Sequence, residues 1–280
     1  MLTSSAFING INLTWDDAGS GPTVLLIHGF PLCRTLWRPQ ATALTAAGYR
    51  VLAPDLRGFG QSDAGTDSGS MDQYADDLVE LLDHLGIEQV AAVGMSMGGY
   101  VLLNLLERFP HRISAAVFAV TRSLPDDEAG RQRRRQLAQA ALQQGPQAVA
   151  DPFLDLLFAP QTRIDRPRLA EEVYGWMVNS PTAGLTAGLR AMAQRKDATP
   201  LLAGINVPAL AIGAELDRAI PPEHSRMIAD AIPGCMLMVI PEAGHLVNLE
   251  RSGTFNRALL EFLRDAVPSP LNTDAVLCNC

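Results

Sequence analysis

The 280-residue sequence contains no apolar stretch that reaches the roughly 18 residues a membrane-spanning helix needs, although 48% of it is hydrophobic. Its start, MLTSSAFINGINLTW, lacks a basic segment followed by an apolar run, so no secretory signal is read there and a cytoplasmic protein with no membrane partner is expected. Positive charge is in deficit. The 22 Lys and Arg face 30 Asp and Glu, for a formal net charge of −8. That argues against a nucleic-acid partner, which would require a basic face. A basic run, RQRRR at Arg131–Arg135, follows Asp126, Asp127 and Glu128 without interleaved aromatics, and reads as a solvated helix face. Cysteines are few. Cys33 and Cys235 lie in apolar surroundings and read as buried packing thiols. Cys278 and Cys280, one residue apart, are too close for easy bridging and show too few ligands for zinc. No metal-ligand constellation, nucleotide loop, repeat or low-complexity tract is present, so neither a metal nor an organic cofactor is expected.

What is present is an alternation of strand and helix. Asn9-Gly10 between two short alternating runs signals a hairpin. Thr23–Gly29, YRVLAPDL, QVAAVGM and ISAAVFAV are continuous apolar runs, as expected of strands buried on both faces. Between them, Leu36–Ala47, Asp72–Leu85 and Met97–Phe109 carry apolar residues at helical spacing and stop at Gly48, Gly86 and Pro110. Such β-α-β repetition requires a mostly parallel sheet with helices on both sides. From 122 to 199 no buried strand is read. Helices at Asp126–Gln144, Gln147–Phe158, Pro167–Asn179 and Pro181–Gln194 suggest an inserted helical cap. The sheet rhythm returns with VPALAIGAELD, a helix at Pro221–Ala231, CMLMVIPEAGH and a helix at Leu246–Arg264. The organisation expected is a core of 1–121 and 200–267, a cap of 122–199, and a disordered tail of 268–280.

Gly94-Met95-Ser96-Met97-Gly98 stands between a strand and a helix. A G-x-S-x-G there forms a sharp turn that holds the serine clear of the backbone at a helix N-terminus. A hydroxyl is a weak nucleophile at neutral pH and needs a base. Of five histidines, His245 in EAGH directly follows the last strand, at the sheet edge where parallel sheets build sites. His28 suits a structural role beside the loop after the first buried strand. The group that orients the imidazole is read as Asp217 in GAELD, with Glu215 as its rival. An oxyanion hole needs two N–H donors; those of Met97 and Phe30 are the candidates. In the 122–199 segment, Phe153, Leu156, Leu157, Phe158, Tyr174, Trp176 and Met177 offer apolar surface for a pocket roof, most of it expected to pack the helices onto the core.

The segments HGFP, PDLRGFGQSD, GMSMGG, GAELDRAIPPE and AGHLVNLE, in this order from Phe7 to about Leu263, resemble the α/β-hydrolase superfamily. Within it the chain is similar to small carboxylesterases related to cofactor-free haloperoxidases, and to 3-oxoadipate enol-lactonases. HGFP departs from the lactonase pattern, which tends to carry serine after the histidine. The resemblance implies an α/β-hydrolase fold with an eight-stranded sheet, a Ser96–His245–Asp217 triad, and Phe30 and Met97 as oxyanion donors. Asp55, Arg57 and Gly60 match a recurrent structural loop. Relatives that open epoxides or remove halogens place aspartate where Ser96 stands; serine implies acyl transfer. The expected partner is a small-molecule ester, with a lactone or a carbon–carbon bond beside a ketone as the second reading. A non-catalytic ligand receptor on the same fold is the third.

Overall fold

Asn9 and Gly10 both adopt positive φ, 46° and 80°, the conformation a two-residue hairpin turn demands. They join β1 (Leu2–Ile8) to β2 (Ile11–Ala18). The chain is described here by a computed structural model covering residues 1–66 and 69–269. The buried strands follow: β3 (Thr23–Ile27), β4 (Arg50–Pro54), β5 (Val90–Met95), β6 (Ile113–Ala119) and β7 (Ala209–Ala214). The partly exposed β8 (Met236–Ile240) ends the series. All eight form one sheet in the order β1-β2-β4-β3-β5-β6-β7-β8. Pairing is parallel from β4 through β8 and antiparallel at β1 and β2.

The helices are α1 (Arg38–Ala46), α2 (Met71–His84), α3 (Met97–Arg108), α4 (Glu128–Gln144), α5 (Gln147–Leu157) and α6 (Pro160–Asp165). They continue with α7 (Pro167–Val178), α8 (Thr182–Gln194), α9 (Thr199–Leu202), α10 (Glu223–Ala231), α11 (Val247–Glu250) and α12 (Ser252–Ala266). Strand alternation divides the core in two. Leu25 and Ile27 face one apolar cluster with α2 and α3, while Val24 and Leu26 face another with α1 and α12. All four are fully buried, and each such side chain contributes about 1.5–3 kcal/mol relative to exposure. A sheet covered on both faces can expose function only at its ends, which is where the site lies.

The segment between β6 and β7 is helical as expected, with α4 packed on α8 and α5 on α7. Its details differ from the expectation. Asp126 and Asp127 lie outside α4, because the Asp127 side chain caps it by accepting from the Gly130 N–H at 2.6 Å. The short α6 and α9 escape periodicity, since six and four residues make less than two turns. The helix expected over Leu246–Arg264 breaks at Arg251, whose φ of −128° and ψ of 49° are not helical. Cys33 and Cys235 are half-buried rather than buried. Cys278 and Cys280, and all of the expected tail beyond Ser269, lie outside the described residues. No helix among the described residues is long and apolar enough to cross a membrane.

Candidate active site

Ser96 sits at the tip of the turn from β5 into α3 with φ 53° and ψ −115°, a backbone conformation that costs a non-glycine residue energy and persists only when its surroundings enforce it. Backbone contact enforces it here. The Ser96 N–H donates to the Ala119 carbonyl at 2.9 Å, and its own carbonyl accepts from the Gly99 N–H and the Thr121 hydroxyl. A Cβ at Gly94 would lie 2.4 Å from the Gly98 carbonyl oxygen, and one at Gly98 would lie 2.2 Å from that of Ile27. Both positions therefore exclude any side chain. Between β5 and the first turn of α3, whose residues are all buried, Ser96 is half-buried.

β7 and β8 deliver the other two residues. Asp217 follows β7 and is 4% exposed; His245 follows β8 and is 2% exposed. His245 Nδ1 lies 2.7 Å from Asp217 Oδ2. The second oxygen of Asp217 accepts from the backbone N–H groups of Ala219 and Ile220 at 2.8 and 2.9 Å. The carboxylate is thus held by its own loop and aimed at the imidazole. Glu215, the rival in sequence, is exposed and accepts from the Glu242 N–H at 2.9 Å. It tethers the two loops to each other, and among the described residues no hydrogen bond or ion pair joins it to His245. With Nδ1 engaged as a donor, the Nε2 of His245 carries the free lone pair of the neutral ring.

Ser96 and His245 line one cavity of about 400 Å³, whose walls include Phe30, Phe153, Leu156 and Leu157. Of the other aromatic and apolar residues foreseen for a roof, Phe158 and Met177 are buried in the core instead. Tyr174 bonds Asp151 beside a separate groove. Among the described residues, no loop or turn hydrogen bond occupies the N–H of Phe30 or of Met97. The Phe30 ring packs edge-on against Phe59 and Phe153. His28 is fully buried; its Nε2 accepts the Leu56 N–H at 2.9 Å, which places its proton on Nδ1 toward the Gly29 carbonyl. Burial lowers its pKa, and it pins the Phe30 loop to the Asp55 loop. There Asp55 accepts from the N–H groups of Arg34 and Gln61, Gly60 packs against its carboxylate, and Arg57 pairs with buried Asp77. All three residues of that loop act on structure.

Two features escaped the sequence. Glu250, 6% exposed, accepts from Gly244 N–H, Ala159 N–H and the Thr162 hydroxyl at 3.0, 3.0 and 2.5 Å. It clamps the loop before His245 to the α5–α6 junction. Burial raises its pKa against these bonds. The second is a correction. RQRRR is not simply a solvated face: Arg133 and Arg134 line the Ser96 cavity, while Arg131 and Arg135 bond Glu128 on the outside. Helical spacing alone shows that these residues occupy different faces, but not which face meets a cavity.

A strand–turn–helix serine sharing a cavity with a buried His–Asp pair, at the carboxyl ends of a parallel sheet, defines an α/β-hydrolase architecture. The chain belongs to that family: the model for the alpha/beta hydrolase fold matches residues 22–252. It is similar to the structure of a thermophilic esterase from Thermogutta terrifontis, at 33% identity and TM-score 0.91 over 95% of this chain and 99% of that one. It is also similar to an enol-lactonase from Burkholderia xenovorans LB400, at 28% identity and TM-score 0.87 over 93% and 99%. A bromoperoxidase from Bacillus anthracis matches at 28% identity and TM-score 0.85 over 94% and 100%.

Proposed function

We propose that this hydrolase-family chain cleaves carboxylic esters through an acyl-enzyme, with Ser96 as nucleophile, His245 as general base and then acid, and Asp217 as the group that orients His245. The observation that carries this reading is the buried 2.7 Å contact between His245 Nδ1 and Asp217 in a cavity shared with Ser96. The Ser96 Oγ attacks the acyl carbon while its proton passes to His245 Nε2. Asp217 holds the tautomer and offsets the imidazolium charge. The N–H groups of Met97 and Phe30 receive the developing oxyanion. His245 then gives its proton to the leaving alcohol, and water repeats the sequence on the acyl-serine. The helices of 122–199 serve as a cap that bounds the substrate. Ser96→Ala is expected to keep the wild-type circular dichroism and lose p-nitrophenyl ester turnover, with phenylmethylsulfonyl fluoride labelling Ser96 in the parent. Activity within tenfold of the parent in a purified variant would remove Ser96 from the mechanism.

Lactone opening is the second reading, favoured by the likeness to the Burkholderia enol-lactonase. It uses the same acyl chemistry with the leaving oxygen still tethered to the acyl group. Turnover of 3-oxoadipate enol-lactone above that of simple esters would select it.

A further inference from the structure

The cavity that holds Ser96 carries a charge opposite to that of the chain. Arg122, Arg133, Arg134 and Arg218 line it, and Asp126 is the one carboxylate among its described lining residues. The chain as a whole has net charge −8. Asp126 is 4% exposed and already bonded by Arg122, Arg134 and Arg195, so it has nothing left to offset the remaining cations. The Nε atoms of Arg122 and Arg195 are buried with no partner among the described residues. Arg133 and Arg218 are exposed, and neither guanidinium makes a hydrogen bond or ion pair to a described residue. Arg218 also borders a neighbouring groove, where Asp151 and Asp155 are engaged by Tyr174 and Arg163 and where exposed Glu171 also stands.

An isolated exposed arginine is ordinary. Here two unpaired ones stand at a cavity whose other walls, such as Phe30, Leu137, Phe153 and Ile220, are apolar. Low-dielectric walls with charge of one sign concentrate anions at the opening. The guanidinium fork matches a carboxylate in a bidentate fashion. Building on the ester-hydrolase reading, we propose that this site takes esters that carry an ionised carboxylate, recognised by Arg133 and Arg218.

The test compares kcat/KM for two matched pairs at low ionic strength: monomethyl adipate against methyl hexanoate, and 4-acetoxybutanoate against butyl acetate. The anionic member of at least one pair is expected to be favoured about tenfold, and 0.5 M NaCl to shrink the preference. Arg133→Gln with Arg218→Gln should lower that ratio about tenfold, through KM for the anionic ester, as two exposed charge contacts predict. Arg133→Lys with Arg218→Lys should retain part of it. No anionic preference in either pair, or a ratio untouched by the double glutamine variant, overturns the proposal while ester turnover itself persists. If no ester is turned over, calorimetric titration of Ser96→Ala protein with the same four compounds decides separately. Anion-selective binding that the two glutamines abolish upholds the proposal without the ester chemistry; binding indifferent to charge, or none, overturns it.

Discussion

A methyl group at Gly98 would meet the Ile27 carbonyl at 2.2 Å, and one at Gly94 would meet Gly98 at 2.4 Å; around Ser96, backbone lies directly on backbone. The helices between β6 and β7 add charged and polar side-chain links to their apolar packing, with Leu157, Phe158, Val173 and Met177 buried in the core. Asp126 gathers Arg122, Arg134 and Arg195, and Glu250 bonds the α5–α6 junction. Backbone meets backbone at this seam too: Gly184 of α8 packs on Gly58, Gly69 on Ala187 and Gly244 on Ala159, and the Leu246 N–H donates to the Leu157 carbonyl at 3.0 Å. The contrast suits their tasks. Close packing has steep repulsion and fixes an atom to a fraction of an ångström, as a nucleophile requires. Ion pairs and side-chain hydrogen bonds yield more readily, so the charged wall that the insertion gives the cavity is the part of the site whose shape and charge can change.

The comparison is broken most severely inside the core. Asp217→Asn leaves the packing in place but offers an amide N–H to the imidazole, favouring the wrong tautomer and removing the counter-charge. A loss in kcat on the order of 10⁴-fold is expected, the size known for this change in a triad. Glu215→Gln should cost about tenfold or less, since the Glu215 carboxylate accepts from the Glu242 N–H and, among the described residues, is not bonded to His245. Kinetics of both variants, with circular dichroism to show that each is folded, would exchange the two roles if Glu215→Gln were the more damaging.

The seam between the regions comes next. Glu250→Ala would strip acceptors from the Gly244 and Ala159 N–H groups, at about 1–3 kcal/mol for each donor left buried and unpaired. Gly244 directly precedes His245, so the loop loosens where the imidazole must be held. We expect kcat to fall about tenfold, with KM moving less, and the melting temperature to drop by several degrees. A variant that loses stability with unchanged kcat would make Glu250 a stability residue alone.

How much of this was readable in advance follows the same division. Ser96, Asp217 and His245 stand at strand ends in short segments whose residue types have few other uses, and the structure brings Asp217 and His245 into contact. The strands were legible because burial on both faces leaves an unbroken apolar run. Glu250 was not, because an acid in an amphipathic helix looks alike whether it meets water or a folded-back loop. Arg133 and Arg134 were read as solvated for a related reason: local spacing does not encode which helix face a distant cavity presents. The break at Arg251 was hidden by apolar spacing that continues across it.

The smallest effect is expected within the insertion, where acid should loosen what charge holds. Burial opposes ionisation of Asp126, but hydrogen bonds and charges from Arg134 and Arg195 outweigh it and hold its pKa down to about 2. Its pKa in the unfolded chain is near the ordinary 3.8. A carboxyl depressed in the folded state contributes stability that is fully present above the unfolded value and is lost as pH falls through the folded one. The window is therefore from about pH 4 down to about pH 2. Solvent reaches Arg122 and Arg134, though not Arg195, which limits the contribution to on the order of 1–2 kcal/mol. Asp126→Asn removes the charge and keeps the shape. Urea unfolding should show the variant less stable than the parent at pH 7, with the gap narrowing at pH 3 and closing near pH 2. A gap that stays constant across that range would mean that Asp126 acts through packing and hydrogen bonding alone, and the charge-held account of the insertion would fail at its best-defined ion cluster.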